Sequence, residues 1–113
     1  LPSSGDAVMP DQGVRVIFGA EQTKLPESSK AQLVELANSM KGKGDMRLQL
    51  MAYAGGPDLS SSLARRMSLS RALSIRSFLI ENGVRSTRID VRALGNKTNE
   101  EPVNRVDLNV SER

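Results

Sequence analysis

Apolar residues recur along this chain with two periods. From Met46 to Ala54, Met46, Leu48, Leu50 and Ala52 alternate with Arg47, Gln49, Met51 and Tyr53, the rhythm of a strand with one face buried. Val14 to Phe18 is a β-branched run of strand length, and Ile89 to Leu94 and Val103 to Val110 complete four strands. Two stretches keep a helical period instead. Leu33, Leu36, Ala37 and Met40 share one face behind Pro26, placed at a helix N1 position with Glu27 in the first turn, and this helix is expected to end at Gly42. Between about Leu59 and Asn82, Met67, Ala72, Ile75 and Leu79 mark a second apolar stripe, kept narrow by Ser68 and Ala72 and closed by Gly83 as a left-handed cap. Gly55-Gly56-Pro57 separates the second strand from that helix, and Asn96 to Pro102 is a polar loop before the last strand. Leu1 to Gly13 is rich in Pro, Ser, Gly and Asp and has no period. Residues 1–13 therefore read as a linker and 14–111 as the domain. The order β-α-β-α-β-β predicts an α+β two-layer sandwich, a four-stranded mixed sheet with two long helices on one face.

Arg71 stands beside the second stripe, four residues after Met67 and four before Ile75. A guanidinium at the edge of an apolar face, on a helix held by packing, is well placed to grip a carboxylate. A solvated helix charge or a structural ion pair is the plainer alternative. The chain carries only +3, yet Arg65 to Arg92 holds seven arginines against Glu81 and Asp90, so the remainder is slightly acidic. Such a patch suits nucleic acid, anionic lipid or an acidic polymer. Nucleic acid is the poorest fit, because Phe18, Tyr53 and Phe78 are the whole aromatic complement and no duplex-reading motif is present.

Composition narrows the chemistry further. At 113 residues and 12.3 kDa the chain can bury one modest core. It has no cysteine and no histidine, which removes disulfides, thiolate metal sites and the usual general base. No serine lies three residues before a lysine, and Gly55-Gly56 lacks the spacing of a phosphate cradle. Glu100-Glu101 is an adjacent pair in a polar loop and reads as solvation. No catalytic residue, metal ligand or cofactor is assigned, and binding is favoured over catalysis. There is no run of 18 apolar residues and no basic leader before one, so neither a membrane span nor a signal peptide is expected in the chain. Because it begins at Leu1, it is expected to be a piece of a longer protein whose anchor or export signal lies upstream.

The second helix is more specific than its period. Met67-Ser68, two residues, Arg71-Ala72, two residues, Ile75, three residues, Leu79, then Asn82-Gly83-Val84 resembles the helix signature of OmpA-like domains, the family of the OmpA C-terminal domain, MotB and the peptidoglycan-associated lipoproteins. That signature is N-x-x-L-S-x-x-R-A-x-x-V followed by a Gly-Val or Gly-Ile turn. Val16-Ile17-Phe18 with Leu25 resembles the family's first strand and the approach to its first helix. Leu48 to Ala54 resembles the second strand, Arg88 to Gly95 the third with its Gly turn, and Asn104 to Leu108 the last with its Arg-Val pair. The resemblance runs from about Gly13 to Val110.

The resemblance implies a ligand, peptidoglycan, and chiefly the diaminopimelate of its stem peptide. In the family an Asp at the end of a Gly-His-Thr-Asp loop takes the ligand ammonium, and the Arg of the Arg-Ala pair takes its carboxylate. Arg71 matches that Arg. The loop departs from the pattern: its place reads Ala52-Tyr53-Ala54-Gly55, so a glycine stands for the Asp, and the Asn at the start of the helix corresponds to Ala64. Loss of one charged hydrogen-bond partner costs ~1.5–3 kcal/mol, on the order of 10- to 100-fold in affinity. Asp58 is the carboxylate that could substitute, with a helix N-cap as its plainer role. Tyr53, in place of the family His, could stack on a ligand, and Arg65 could retune the groove toward anions. Two functions follow. One is a periplasmic wall-binding module of a Gram-negative envelope protein, weak and membrane-tethered only through an upstream anchor. The other is an OmpA-like scaffold that has lost wall binding and serves protein contact, a homodimer among the forms this could take. Arg71→Ala is expected to abolish binding and leave the fold intact, and Gly55→Asp to strengthen binding.

Overall fold

The computed structural model describes residues 13–42 and 45–112, so the expected linker, apart from Gly13, lies outside the described residues. Six principal elements follow in the expected order: β1 (Val14–Ile17), α1 (Lys30–Met40), β2 (Met46–Tyr53), α2 (Ser61–Glu81), β3 (Ile89–Gly95) and β4 (Arg105–Glu112). They form one four-stranded sheet of order β1-β4-β2-β3. The β2 and β3 strands pair in parallel, as strands joined by a helical crossover must, while β4 runs antiparallel to both β1 and β2. Alternation puts Val14, Val16, Leu48, Leu50, Val106 and Leu108 on one side of the sheet, and both helices bury their stripes against it. Leu33, Leu36, Ala37 and Met40 of α1 and Ala72, Ile75 and Leu79 of α2 complete the core. The α+β sandwich is thus as expected.

Element ends differ from the sequence reading for local reasons. Pro26 is extended at φ −65 and ψ 139, so it opens a 3-10 turn over Glu27–Ser29, and α1 starts only at Lys30. The N-cap of α2 is Ser60, whose Oγ accepts the Leu63 N–H at 3.2 Å, and not Asp58. Asp58 is exposed and occupies the third position of a turn closed by the Leu59 N–H on the Gly56 carbonyl at 3.2 Å. The far end of α2 is the expected left-handed cap: Gly83 has φ +102, and the Gly83 and Val84 amides donate to the carbonyls of Ile80 and Leu79, both at 3.0 Å. Where β3 ends, Gly95 brings α2 close. Its φ is +58, a Cβ there would lie 3.1 Å from the Arg65 nitrogen, and its amide donates to Ser68 Oγ at 3.1 Å. Only glycine serves both the backbone angle and the approach.

Candidate functional site

Arg71 lies within the buried stripe of α2 rather than at its edge, in line with Ala64, Ser68, Ala72, Ile75 and Leu79, and is 0 % exposed. All five of its N–H donors are engaged. Nε donates to the Gln22 carbonyl at 2.7 Å, Nη1 to the Tyr53 carbonyl at 3.1 Å and to Asn104 Oδ1 at 2.8 Å, and Nη2 to the carbonyls of Gly19 at 2.9 Å and Ala20 at 3.2 Å. The Phe18 ring centre is 5.2 Å from the guanidinium carbon, in cation–π range. Phe18 and three of the five acceptors come from the chain leaving β1, the other two from the end of β2 and from Asn104 before β4. Phe18 remains buried beyond the strand, its amide held by the Asn104 carbonyl at 2.9 Å. The next residues curl through a Gln22 N–H to Gly19 carbonyl bond at 3.1 Å, which turns their carbonyls onto the arginine while their side chains stay exposed. Burial lowers the Arg71 pKa from its ordinary value. None of the ion pairs among the described residues involves it. Its hydrogen bonds are complete and its charge is not neutralised.

A second buried arginine, Arg105, lies alongside and is 1 % exposed. The register that pairs Tyr53 with Arg105 across β2 and β4 sets its guanidinium 4.3 Å from the Tyr53 ring centre. Unlike Arg71 it is matched by acids, donating to Asp107 Oδ2 at 3.0 Å and Glu100 Oε1 at 2.9 Å, and it also holds the Pro102 carbonyl at 2.8 Å. Asp107 also accepts from Arg15 Nε at 2.7 Å, which pushes the Arg15 pKa above its ordinary value. Asn104, which precedes Arg105 in the chain, serves the first centre: its Oδ1 accepts from Arg71 and from the Gly55 amide at 3.1 Å.

The residues singled out from the sequence divide among three places. Arg71, Tyr53 and Gly55 come together around Asn104. The Tyr53 ring is taken by Arg105, and its carbonyl serves Arg71. Gly55 is buried, and a Cβ there would sit 2.8 Å from Val103 Cγ2, so a valine occupies the space that an acidic side chain would need. Ala64 is fully buried, with its backbone against Gly95, where a larger residue would push α2 off the sheet. Arg65 is exposed and lines a separate groove against β3 with Lys97. Asp58 is exposed on its turn and bonds to neither arginine. Asn104, Arg105 and Val103 carry the geometry but not a sequence signal. The Asn-Arg-Val run marks a strand, and only the register reveals what its side chains hold. Among the described residues no group of three His, Cys, Asp or Glu is placed to hold a metal ion, and no helix is long and apolar enough to cross a membrane.

Three solved structures share this fold. The OmpA-like domain of FopA1 from Francisella tularensis superposes with a TM-score of 0.77 at 14 % identity, covering 88 % of this chain and 72 % of that one. The peptidoglycan-associated lipoprotein from Burkholderia pseudomallei gives 0.78 at 18 % identity, covering 90 % and 93 %. The periplasmic domain of Helicobacter pylori MotB gives 0.68 at 16 % identity, covering 90 % and 78 %. Among curated protein sequences none matches. At these identities the structures speak for the fold, but the OmpA family model matches the sequence itself over residues 17–112, from the end of β1 through β4. A helix bearing Arg71-Ala72, laid on a β1-β4-β2-β3 sheet and matched over that span, makes this chain a member of the OmpA family.

Proposed function

We propose that this domain is a non-catalytic peptidoglycan-binding module of a larger envelope protein, held in the periplasm of a Gram-negative bacterium by an upstream anchor. Arg71 takes a carboxylate of a diaminopimelate-type stem peptide. The observation that carries the reading is the charge at Arg71, where five neutral acceptors satisfy the hydrogen bonds and no anion answers the cation. Two of those acceptors, the Gly19 and Ala20 carbonyls on Nη2, belong to exposed residues that can turn to water. A ligand carboxylate replacing them would form charge-assisted bonds roughly twice as strong as the neutral ones it displaces. The relatives agree with this ligand, since one is a peptidoglycan-associated lipoprotein and another a periplasmic domain. The ligand ammonium has no acid at Gly55. Asp58, the first carboxylate after it in the chain, is exposed and available on the neighbouring turn.

The second reading, a scaffold that has lost the wall and retains protein contact or dimerisation, is favoured by one observation. Val103 fills the space beside Gly55. Co-sedimentation separates the two. The purified chain is expected to pellet with diaminopimelate-type sacculi, weakly, and to be released by free diaminopimelate, which competes for Arg71, more readily than by salt, which screens a buried cation little. Absence from the pellet at low ionic strength would give the scaffold reading precedence. Pelleting that diaminopimelate does not reverse would mean that the wall is held elsewhere on the surface.

A further inference from the structure

A trench runs along the outer side of β3, on the far side of α2 from the β1–α1 segment. Two adjoining hollows of about 420 and 370 Å³ share Ser62, Arg65 and Ala93. Their floor is apolar, with Leu69 of α2 and Val91 and Ala93 of β3, and their rim is basic, with Arg65, Arg66 and Lys97. No acidic side chain lines either hollow. None of the three basic residues is in an ion pair among the described residues. The apolar strip continues along the helix, with Leu69 41 % and Leu73 43 % exposed.

The trench also borders open main chain. Among the described residues β3 is an edge strand, paired with β2 on one side only, so alternate residues before Leu94 present an N–H and a C=O outward, while the Leu94 carbonyl accepts the Lys97 N–H and the Gly95 amide donates to Ser68 Oγ. Protein edges are commonly blunted by shortness or by charge. The opposite edge is treated so: β1 has four residues, and its Arg15 is bound to Asp107. β3 is seven residues long, and its charges, Asp90 (paired with Arg47) and Arg92, alternate with Val91 and Ala93 and so lie on the face away from the apolar floor.

We infer that this trench receives an extended, acidic polypeptide segment of a partner protein, which adds to β3 as a fifth strand. Main-chain bonding to β3 gives the segment its direction, and the side chains on its helix-facing side, every second residue, meet both the apolar floor of Leu69, Val91 and Ala93 and the cations Arg65, Arg66 and Lys97. Charge complementarity selects the partner: a basic or neutral strand would leave the three cations unanswered. This site is separate from Arg71, which lines neither hollow.

The test uses the purified full chain and a fluorescein-labelled peptide of eight residues, with Glu and Val in turn at its odd positions, so that both share one strand face, and Thr at its even positions. Fluorescence anisotropy is expected to show binding at least about tenfold tighter than for the Lys-Val counterpart. N-methylation of every second amide, which keeps the charges but removes one hydrogen-bonding edge, is expected to weaken binding by a similar factor. R66E and K97E, both at exposed positions, should each weaken it several-fold with unchanged circular dichroism. Amide shifts in a labelled sample should concentrate on Ile89–Gly95. No binding, equal binding of the Lys-Val peptide or equal binding of the N-methylated peptide would each overturn the inference. Displacement of the peptide by soluble wall fragments at equal concentration would also overturn it, because the trench would then belong to the wall.

Discussion

Replacing Arg71 with methionine is expected to lower folding stability by about 2–4 kcal/mol, through the loss of its hydrogen bonds and the stranding of the buried acceptors beneath it. Methionine restores much of the volume, so the loss comes from stranded acceptors rather than from a cavity. The Gly19, Ala20 and Gln22 carbonyls sit on exposed residues and can recover water. The Tyr53 carbonyl lies deeper, and a stranded buried group costs about 1–3 kcal/mol, while Asn104 Oδ1 keeps the Gly55 N–H but loses its charged donor. For a domain whose total stability is about 5–15 kcal/mol, that is a large share. Arg71→Lys keeps the charge but offers three donors to five acceptors, so it should fall between the two. Urea unfolding reads the result as a lowered midpoint at constant slope. Burial therefore revises the expectation of Arg71→Ala as a clean binding knock-out: a loss of wall binding in that variant would report unfolding as well. If Arg71→Met shifts stability by less than about 1 kcal/mol, the carbonyls rehydrate without cost and Arg71 is freer than its contacts indicate.

Restoring an acid at Gly55 is the second large effect, and space decides its sign. The backbone there is not in the left-handed region, so an L side chain is allowed by angle, but its Cβ would lie 2.8 Å from Val103 Cγ2. Gly55→Asp alone is therefore expected to destabilise by about 1–3 kcal/mol through overpacking. Placing a carboxylate among buried groups adds to that loss. Gly55→Asp together with Val103→Ala clears the contact, recovers most of that stability and regains a partner for the ligand ammonium. The double variant should bind sacculi on the order of 10- to 100-fold more tightly than the native chain. Thermal unfolding and co-sedimentation measure the two halves separately. A double variant that is stable and binds no better would show that the amine of the ligand does not visit this loop.

The fold could be read from the chain because burial imposes its periods. Met46, Leu48, Leu50 and Ala52 alternate only because one face of β2 meets α1 and α2. Gly83 and Gly95 stand where positive φ demands them. The site was less legible, for a different physical reason. Side-chain spacing identified Arg71, but its acceptors are mostly carbonyls, and nothing in Gly19-Ala20-Glu21-Gln22 shows that three of them converge on one guanidinium. Arg105 was hidden by register, since its stacking on Tyr53 depends on which residues of β2 and β4 lie opposite. Capping went to Ser60 rather than Asp58 because Pro57 draws Asp58 into a turn before the helix begins. Val103 gave no signal at all, as an apolar residue beside a polar loop.

Four of the five groups that hold Arg71 are main-chain oxygens, which every amino acid supplies alike. The segment that covers the arginine is thus secured by its path and not by its letters. Gln22 is the exception, since its Oε1 fastens the Gly19 amide at 2.9 Å. Ala20 and Glu21 remain as two exposed positions within the segment that bonds the cation, where drift or a mutational library can rewrite what a ligand meets while the anchor beneath stays as it is.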